Sequence, residues 1–233
     1  MTAGASGDAV TAGGGIAADR FDELAEKLYA AVVSDILDGL GHPGQVVRAG
    51  LRPAVSGEWT LVGRIRTARA VAVAERPERP YAQLLSLIDS MRGGDVLVMD
   101  AGGRDSSGIF GGLLATAVKA AGGRGAIIDG DTRDLRELER LGFPTLVRGS
   151  CPADSLGRDE VVETDAPIVC GGVTVTSGDL VVADQDGVVV VPQAIEQKVV
   201  ELALEKVSGE DVVRRELANG MSASAAFERY GIL

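Results

Sequence analysis

Between Asp19 and Val33 apolar side chains recur at helical spacing. Phe21, Leu24, Leu28 and Val32 fall on one stripe and predict an amphipathic helix. Ser34 is placed to cap a short helix ending at Leu40, and Gly39 to Gly44, with His42 and Pro43, reads as a turn. Leu51 to Ser56 reads as a loop. Thr60 to Ala74 then alternates (Leu61, Gly63, Ile65, Thr67) as a strand does, and Tyr81, Leu84, Leu85, Ile88 and Met91 mark the next helix.

The middle of the chain changes character. Gly94-Asp95-Val96-Leu97-Val98-Met99-Asp100 is a turn feeding an uninterrupted apolar run, echoed by Gly178-Asp179-Leu180-Val181-Val182-Ala183-Asp184. Runs without alternation suit strands covered on both faces. Strand 96–99, helix 113–121, strand 126–129, helix 134–141 and strand 145–148 alternate, which predicts a parallel sheet. After Val161 come short strands at 161–164, 168–170, 173–176, 180–183 and 187–191, the last two joined by a tight turn at Gln185-Asp186-Gly187. Pro192 opens a helix to about Val207, and helices near 210–218 and 223–230 complete the chain. Residues 1–18, rich in Gly, Ala and Thr, read as a flexible tail rather than a signal peptide, and 19–233 as one domain.

Composition narrows the function. With 45% apolar residues, 3% aromatic residues and 32 glycines, an α/β protein packed by Ala, Val and Leu is expected. A net charge of −11, with basic and acidic residues interspersed, argues against nucleic acid as a partner. No apolar run is long enough to cross a bilayer. Cys151 and Cys170 form no CxxC pattern, so a reduced, cytoplasmic protein without zinc or disulfide is expected.

The candidate chemistry sits in two short stretches. Gly111, Gly112, Leu113 and Leu114 open an apolar helix, whose first N–H groups are unpaired donors suited to a carboxylate or phosphate. Simple helix entry after a glycine-rich loop is the structural alternative. Arg133-Asp134 follows a strand at the edge where α/β proteins bind ligands. Arg133 could grip a carboxylate through two hydrogen bonds, with a surface ion pair as the alternative, while Asp134 could hold a metal or cap the following helix. Asp184-x-Asp186-Gly187 lacks the other ligands of a calcium loop and reads as a hairpin turn. His42 is the sole histidine, so a Ser-His-Asp or Cys-His site would depend entirely on it and is not expected.

The segments GDVLVMD, GGLLATAVKAAGGRGAIIDGDTRDLRELERLGFPTLVRG, GDLVVADQDGVVVVP and AFERYGIL resemble the RraA-like family over about residues 20 to 233. That family includes 4-hydroxy-4-methyl-2-oxoglutarate/4-carboxy-4-hydroxy-2-oxoadipate aldolases, oxaloacetate decarboxylases and the regulator of ribonuclease activity A. The resemblance implies a three-layer β/β/α swivelling-type α/β domain with C-terminal helices, assembled as a homotrimer or hexamer with interface active sites. It implies a small 2-oxo acid substrate, held by the amides around Leu113 and Leu114 and by Arg133. Asp134 would anchor a divalent cation, Mg²⁺ or Mn²⁺, and Glu210, or alternatively Glu205, would come from a neighbouring subunit. The catalytic members carry an acidic residue 21 positions before the arginine; here that position is Gly112, with Asp100, Asp105 or Asp131 as candidate replacements. The expected activity is metal-dependent C–C cleavage through a pyruvate enolate, as an aldolase or oxaloacetate decarboxylase. The alternatives are a non-catalytic ribonuclease regulator, or a related lyase or hydrolase on another small oxo acid.

Overall fold

The computed structural model describes residues 15–48 and 50–232. Its frame is one sheet in the order β1-β6-β5-β3-β2-β10-β11. In chain order these strands are β1 (Arg52–Pro53), β2 (Leu61–Ala72), β3 (Asp95–Asp100), β4 (Gly108–Phe110), β5 (Gly125–Thr132), β6 (Thr145–Ser150), β7 (Asp159–Thr164), β8 (Ile168–Cys170), β9 (Val173–Val175), β10 (Leu180–Ala183) and β11 (Val188–Val191). β2, β3, β5 and β6 are mutually parallel, as the strand–helix alternation predicts. β2 is long enough to pair β10 at its start and β7 at its end, both antiparallel. The hairpin β8–β9 forms a separate small sheet.

Strand alternation sorts the core into layers. From β3, Leu97 and Met99 pack with α3 (Ala82–Ser90), α4 (Gly112–Ala120) and α5 (Leu135–Leu141), while Val96 and Val98 pack with the β8–β9 hairpin. Farther along the sheet, Leu180, Val182, Val189 and Val191 pack with α1 (Phe21–Lys27), α2 (Ala30–Gly39) and α6 (Glu196–Ala218). The result is the expected β/β/α arrangement, closed by α6 and α7 (Ala223–Tyr230). The two Gly-Asp echoes flank β2 with opposite polarity. Each uses the same turn, in which Asp95 Oδ2 accepts from Arg92 N–H at 2.8 Å and Asp179 Oδ2 from Thr176 N–H at 3.0 Å.

Four local expectations change. The predicted helix 19–33 breaks at extended Leu28 and Tyr29, because Asp184, buried in the β10–β11 turn, accepts from Ala30 N–H at 2.7 Å and starts a new helix there. Ser34 therefore lies inside α2 rather than capping it. The helices predicted to 207 and at 210–218 are one helix of 23 residues, since Gly209 is accommodated within it. Residues 1–14 of the predicted tail lie outside the described residues, but the tail does not extend to residue 18. Ile16 is buried, and its N–H donates to Glu196 Oε1 at 2.6 Å.

Glu196 is 1% exposed and pairs with Arg64, whose guanidinium also donates to Ile16 O and Gly178 O. Removing one partner of such a pair strands the other in the interior. Glu196→Ala is therefore expected to lower unfolding free energy by about 3–5 kcal/mol, read from urea denaturation. Tyr29 donates to Glu210 across the α2–α6 contact. Burial first, and then that carboxylate, push its ionisation up to about 12. Because the folded value lies above the usual value of about 10, this contribution to stability is complete below pH ~10 and is lost as pH rises toward 12. The late phenolate absorbance step should vanish in Tyr29→Phe, and its persistence would contradict the assignment.

Candidate active site

Two chain reversals at the ends of parallel strands build the site. β4 runs beside the end of β5, and Phe110 O accepts both from Arg133 N–H at 2.9 Å and from Thr132 Oγ1 at 2.7 Å. This clamps the residue after β5 against the residue that leads into α4. Gly108 and Gly111 carry no side chain because none fits. A Cβ on Gly108 would lie 2.5 Å from Cys151 O and 2.7 Å from Arg133 Cβ, and one on Gly111 would lie 2.7 Å from Asp134 Oδ2.

Asp134 is the joint. Its backbone is left-handed (φ 59), a conformation that costs a non-glycine residue about 1–3 kcal/mol unless surroundings impose it. The side chain does not cap its own helix α5, as a capping aspartate would. Its Oδ2 crosses to accept from Gly112 N–H at 3.1 Å, the first residue of α4. Asp134 thus caps the neighbouring helix and stays half-exposed, and Oδ1 has no hydrogen bond among the described residues.

A cavity of about 170 Å³ opens at this joint, lined by Gly111, Leu113, Leu114, Arg133 and Asp134, with Gly108, Ile109, Tyr81, Leu85, Asp154 and Ser155. That is below the range of drug-sized pockets, about 300–1,000 Å³, and suits a guest of a few carbons. Gly112 contributes its N–H to Asp134. The next amides, of Leu113 and Leu114, make no hydrogen bond among the described residues and lie at the positive end of α4. Arg133 stands 3.9 Å from Asp134 Oδ2 (Nε) and 3.3 Å from Asp154 Oδ1 (Nη1), and remains partly exposed. The cluster of one guanidinium and two carboxylates carries a formal net charge of −1, so an incoming anion needs a further positive charge.

Sequence reasoning brought Gly111, Leu113, Leu114, Arg133 and Asp134 together but missed Asp154 and Tyr81. Asp154 arrives through a bridge to Gly108 in an irregular segment, which no periodicity marks. Tyr81 sits left-handed (φ 62) at the start of α3. Glu210 is not part of this chain's cavity; it lies on α6, held by Tyr29 and near Lys206. Glu205 is exposed on the same helix. Asp100, Asp105 and Asp131 do not line the cavity either. Asp100 accepts from Gly102 N–H, and buried Asp131 is shifted upward by desolvation and then by Asp105. A Cβ placed on Gly112 would lie 2.8 Å from Glu137 Cβ and 3.5 Å from Asp134 Cβ. Among the described residues, no three His, Cys, Asp or Glu side chains form a metal cage, and no helix is long and apolar enough to cross a membrane. Both cysteines are free; burial and then Asp129 push the Cys170 thiol up, which makes it unreactive.

Fold and site together define a protein of the aldolase and RraA class. The family model described as RraA-like, Aldolase/RraA, matches residues 30–190, and the chain belongs to that family. It is 32% identical over 195 residues to the "Putative 4-hydroxy-4-methyl-2-oxoglutarate aldolase" of Halalkalibacterium halodurans, covering 84% of this chain and 87% of the relative. An uncharacterized protein from Pseudomonas syringae pv. tomato superposes with a TM-score of 0.79 at 29% identity, covering 91% of this chain and 98% of that one. Streptomyces coelicolor RraAS2, described as an unusual member of the RNase ES inhibitor RraA protein family, superposes with a TM-score of 0.71 at 30% identity, covering 82% and 96%.

Glu137 gives Gly112 a steric reason. Gly112→Asp forces a Cβ against Glu137 and is expected to cost about 1–3 kcal/mol of stability in urea unfolding. Trimming the obstacle should recover most of that loss, so Gly112→Asp with Glu137→Gly should be clearly non-additive. Additive losses would place the strain elsewhere.

Proposed function

We propose that this protein is a lyase that cleaves a C–C bond beside a 2-oxo acid and releases pyruvate. Its reactions would be those of a 4-hydroxy-4-methyl-2-oxoglutarate-type aldolase or an oxaloacetate decarboxylase, with Mg²⁺ or Mn²⁺ as cofactor. The observation that carries the reading is the convergence of Arg133, Asp134 and the open amides of Leu113 and Leu114 on one small cavity.

Asp134 fits a cation of this type. One carboxylate oxygen is fixed by Gly112 N–H, the other is open, and Mg²⁺ commonly takes one or two carboxylates, with water and substrate oxygens completing its sphere. A bound divalent cation would act as a Lewis acid toward the substrate's keto and carboxylate oxygens. The protein's own residues do the rest. The Leu113 and Leu114 amides bind and orient the substrate carboxylate at the α4 N-terminus. Arg133 places a permanent positive charge where the keto oxygen becomes negative as the C–C bond breaks, and such preorganised donors favour the transition state over the ground state. The Phe110 clamp holds Arg133 in place without waiting for substrate. Decarboxylation of oxaloacetate generates the same pyruvate enolate, so one arrangement serves both reactions. A homotrimer or hexamer would bring Glu210 of a neighbouring subunit toward the cavity as an additional proton-handling group.

The ribonuclease-regulator reading is supported by the likeness to RraAS2 and by Gly112 at the acidic position. Retention of Arg133, Asp134 and the cavity favours catalysis. Purified protein with Mg²⁺ or Mn²⁺ should release pyruvate from 4-hydroxy-4-methyl-2-oxoglutarate or oxaloacetate above the metal-only rate. Arg133→Ala and Asp134→Ala should each lower kcat/KM by at least about 100-fold. No release above background, together with ribonuclease capture and slowed RNA cleavage, would favour the regulator.

A further inference from the structure

Asp154 is the second carboxylate of the cavity, and it is firmly mounted although its side chain is half-exposed. The segment that carries it is tied down on both sides. Gly108 N–H donates to Ala153 O at 3.0 Å, and the amides of Arg158 and Asp159 both donate to Ser155 O at 2.8 Å. Arg158 Nη1 adds a bond to Asp154 O at 2.8 Å. Asp154 Oδ1 then meets three neighbours within the same chain. The Tyr81 hydroxyl donates to it at 3.4 Å, Leu156 N–H donates at 3.4 Å, and Arg133 Nη1 lies 3.3 Å away. Tyr81 is itself fixed, because its N–H donates to Glu160 Oε1 at 2.9 Å. These contacts orient the carboxylate through one oxygen, while Oδ2 makes no hydrogen bond among the described residues.

Stability does not account for this carboxylate. Arg133 is already clamped by Phe110 O, and a loose ion pair between partly exposed side chains contributes about 0–1 kcal/mol. Substrate binding does not account for it either, since a further negative charge beside the Arg133 guanidinium opposes an incoming oxo acid. The chemical step does, because aldol cleavage needs a positioned group that takes a proton.

We propose, resting on the lyase reading, that Asp154 is the base of the aldol reaction and that oxaloacetate decarboxylation proceeds without it. Asp154 Oδ2 accepts the proton of the substrate's C4 hydroxyl, and the O–H electron pair becomes the second C4–O bond. The C3–C4 bond breaks, and its electron pair stays on C3 as the pyruvate enolate. C3 then takes up a proton, Asp154 releases the one it accepted, and 4-hydroxy-4-methyl-2-oxoglutarate yields two pyruvates. No redox change occurs. Oxaloacetate has no such proton to lose. Its C4 carboxylate is already ionised, the C3–C4 bond breaks as CO2 departs, and the same enolate forms. Arg133 and the α4 amides therefore serve both reactions, and Asp154 serves one.

The two substrates together test this. Asp154→Asn keeps the shape of the side chain and an acceptor for the Oδ1 contacts, and removes the base. Its kcat/KM for 4-hydroxy-4-methyl-2-oxoglutarate is expected to fall about 100-fold or more, while that for oxaloacetate stays within about threefold of wild type. Retained decarboxylation also reports an intact fold. Calorimetry adds a reading apart from turnover: with Mg²⁺ present, the variant should bind oxalate at least as tightly as wild type, because a carboxylate beside Arg133 is gone. Equal losses in the two reactions, an unchanged aldol rate, or weaker oxalate binding would overturn the assignment. Should the variant not fold, Asp154→Ala with added formate decides the matter. Formate is expected to raise its aldol rate and leave its decarboxylation rate unchanged, and no rise overturns the assignment. Wild-type protein that cleaves neither substrate ends the lyase reading and this inference with it. Wild-type protein active on oxaloacetate alone overturns the role of Asp154 and leaves the lyase reading standing.

Discussion

A single hydrogen bond, from Gly112 N–H to Asp134 Oδ2, ties together the two reversals from which the site is made. Asp134 makes it from a left-handed backbone, and the carboxylate leaves no room for a side chain at Gly111. It also uses up the first amide of α4, so that the next two amides, of Leu113 and Leu114, are those offered to a ligand. The carboxylate that would have served α5 as an ordinary cap is instead shared between a neighbouring helix and the cavity.

The sheet makes this contact possible. β3 and β5 are apolar on both faces because helices α3–α5 cover one side and the β8–β9 hairpin the other. Their ends are therefore held rigidly, and β4, short as it is, locks the exit of β5 through Phe110 O. The N-terminal helices, α6 and the Arg64–Glu196 pair stabilise the far half of the sheet, away from this chain's own cavity.

Much of this was legible in the residues. Uninterrupted apolar runs marked β3 and β10, the strand–helix alternation marked the parallel centre, and the glycine pair followed by Arg133-Asp134 marked the cavity. What escaped depends on contacts distant in sequence. The break at Leu28 is imposed by Asp184, more than 150 residues away along the chain (|i−j| 154), and local helical spacing cannot report it. Asp134 looked like a cap for its own helix because the helix it caps begins 22 residues earlier in the chain. Asp154 and Tyr81 lie in segments without periodicity and reach the site through a bridge and a left-handed turn. Gly112 carried a signal that only space explains, since Glu137 occupies the volume a side chain would need.

These contacts make one electrostatic argument. A guanidinium flanked by two carboxylates is a poor anion site by itself, and under the proposed reading the same cluster would become a good one if Asp134 carried a divalent cation. Cation and anion should then bind cooperatively, each improving the affinity of the other by the same factor. Electron paramagnetic resonance of Mn²⁺ with and without oxalate, a planar dianion resembling the pyruvate enolate, measures that coupling. Wild-type protein should bind Mn²⁺ more tightly when oxalate is present, and Asp134→Asn should lose both the binding and the coupling. Mn²⁺ binding unchanged in Asp134→Asn, or indifferent to oxalate in the wild type, would contradict the account.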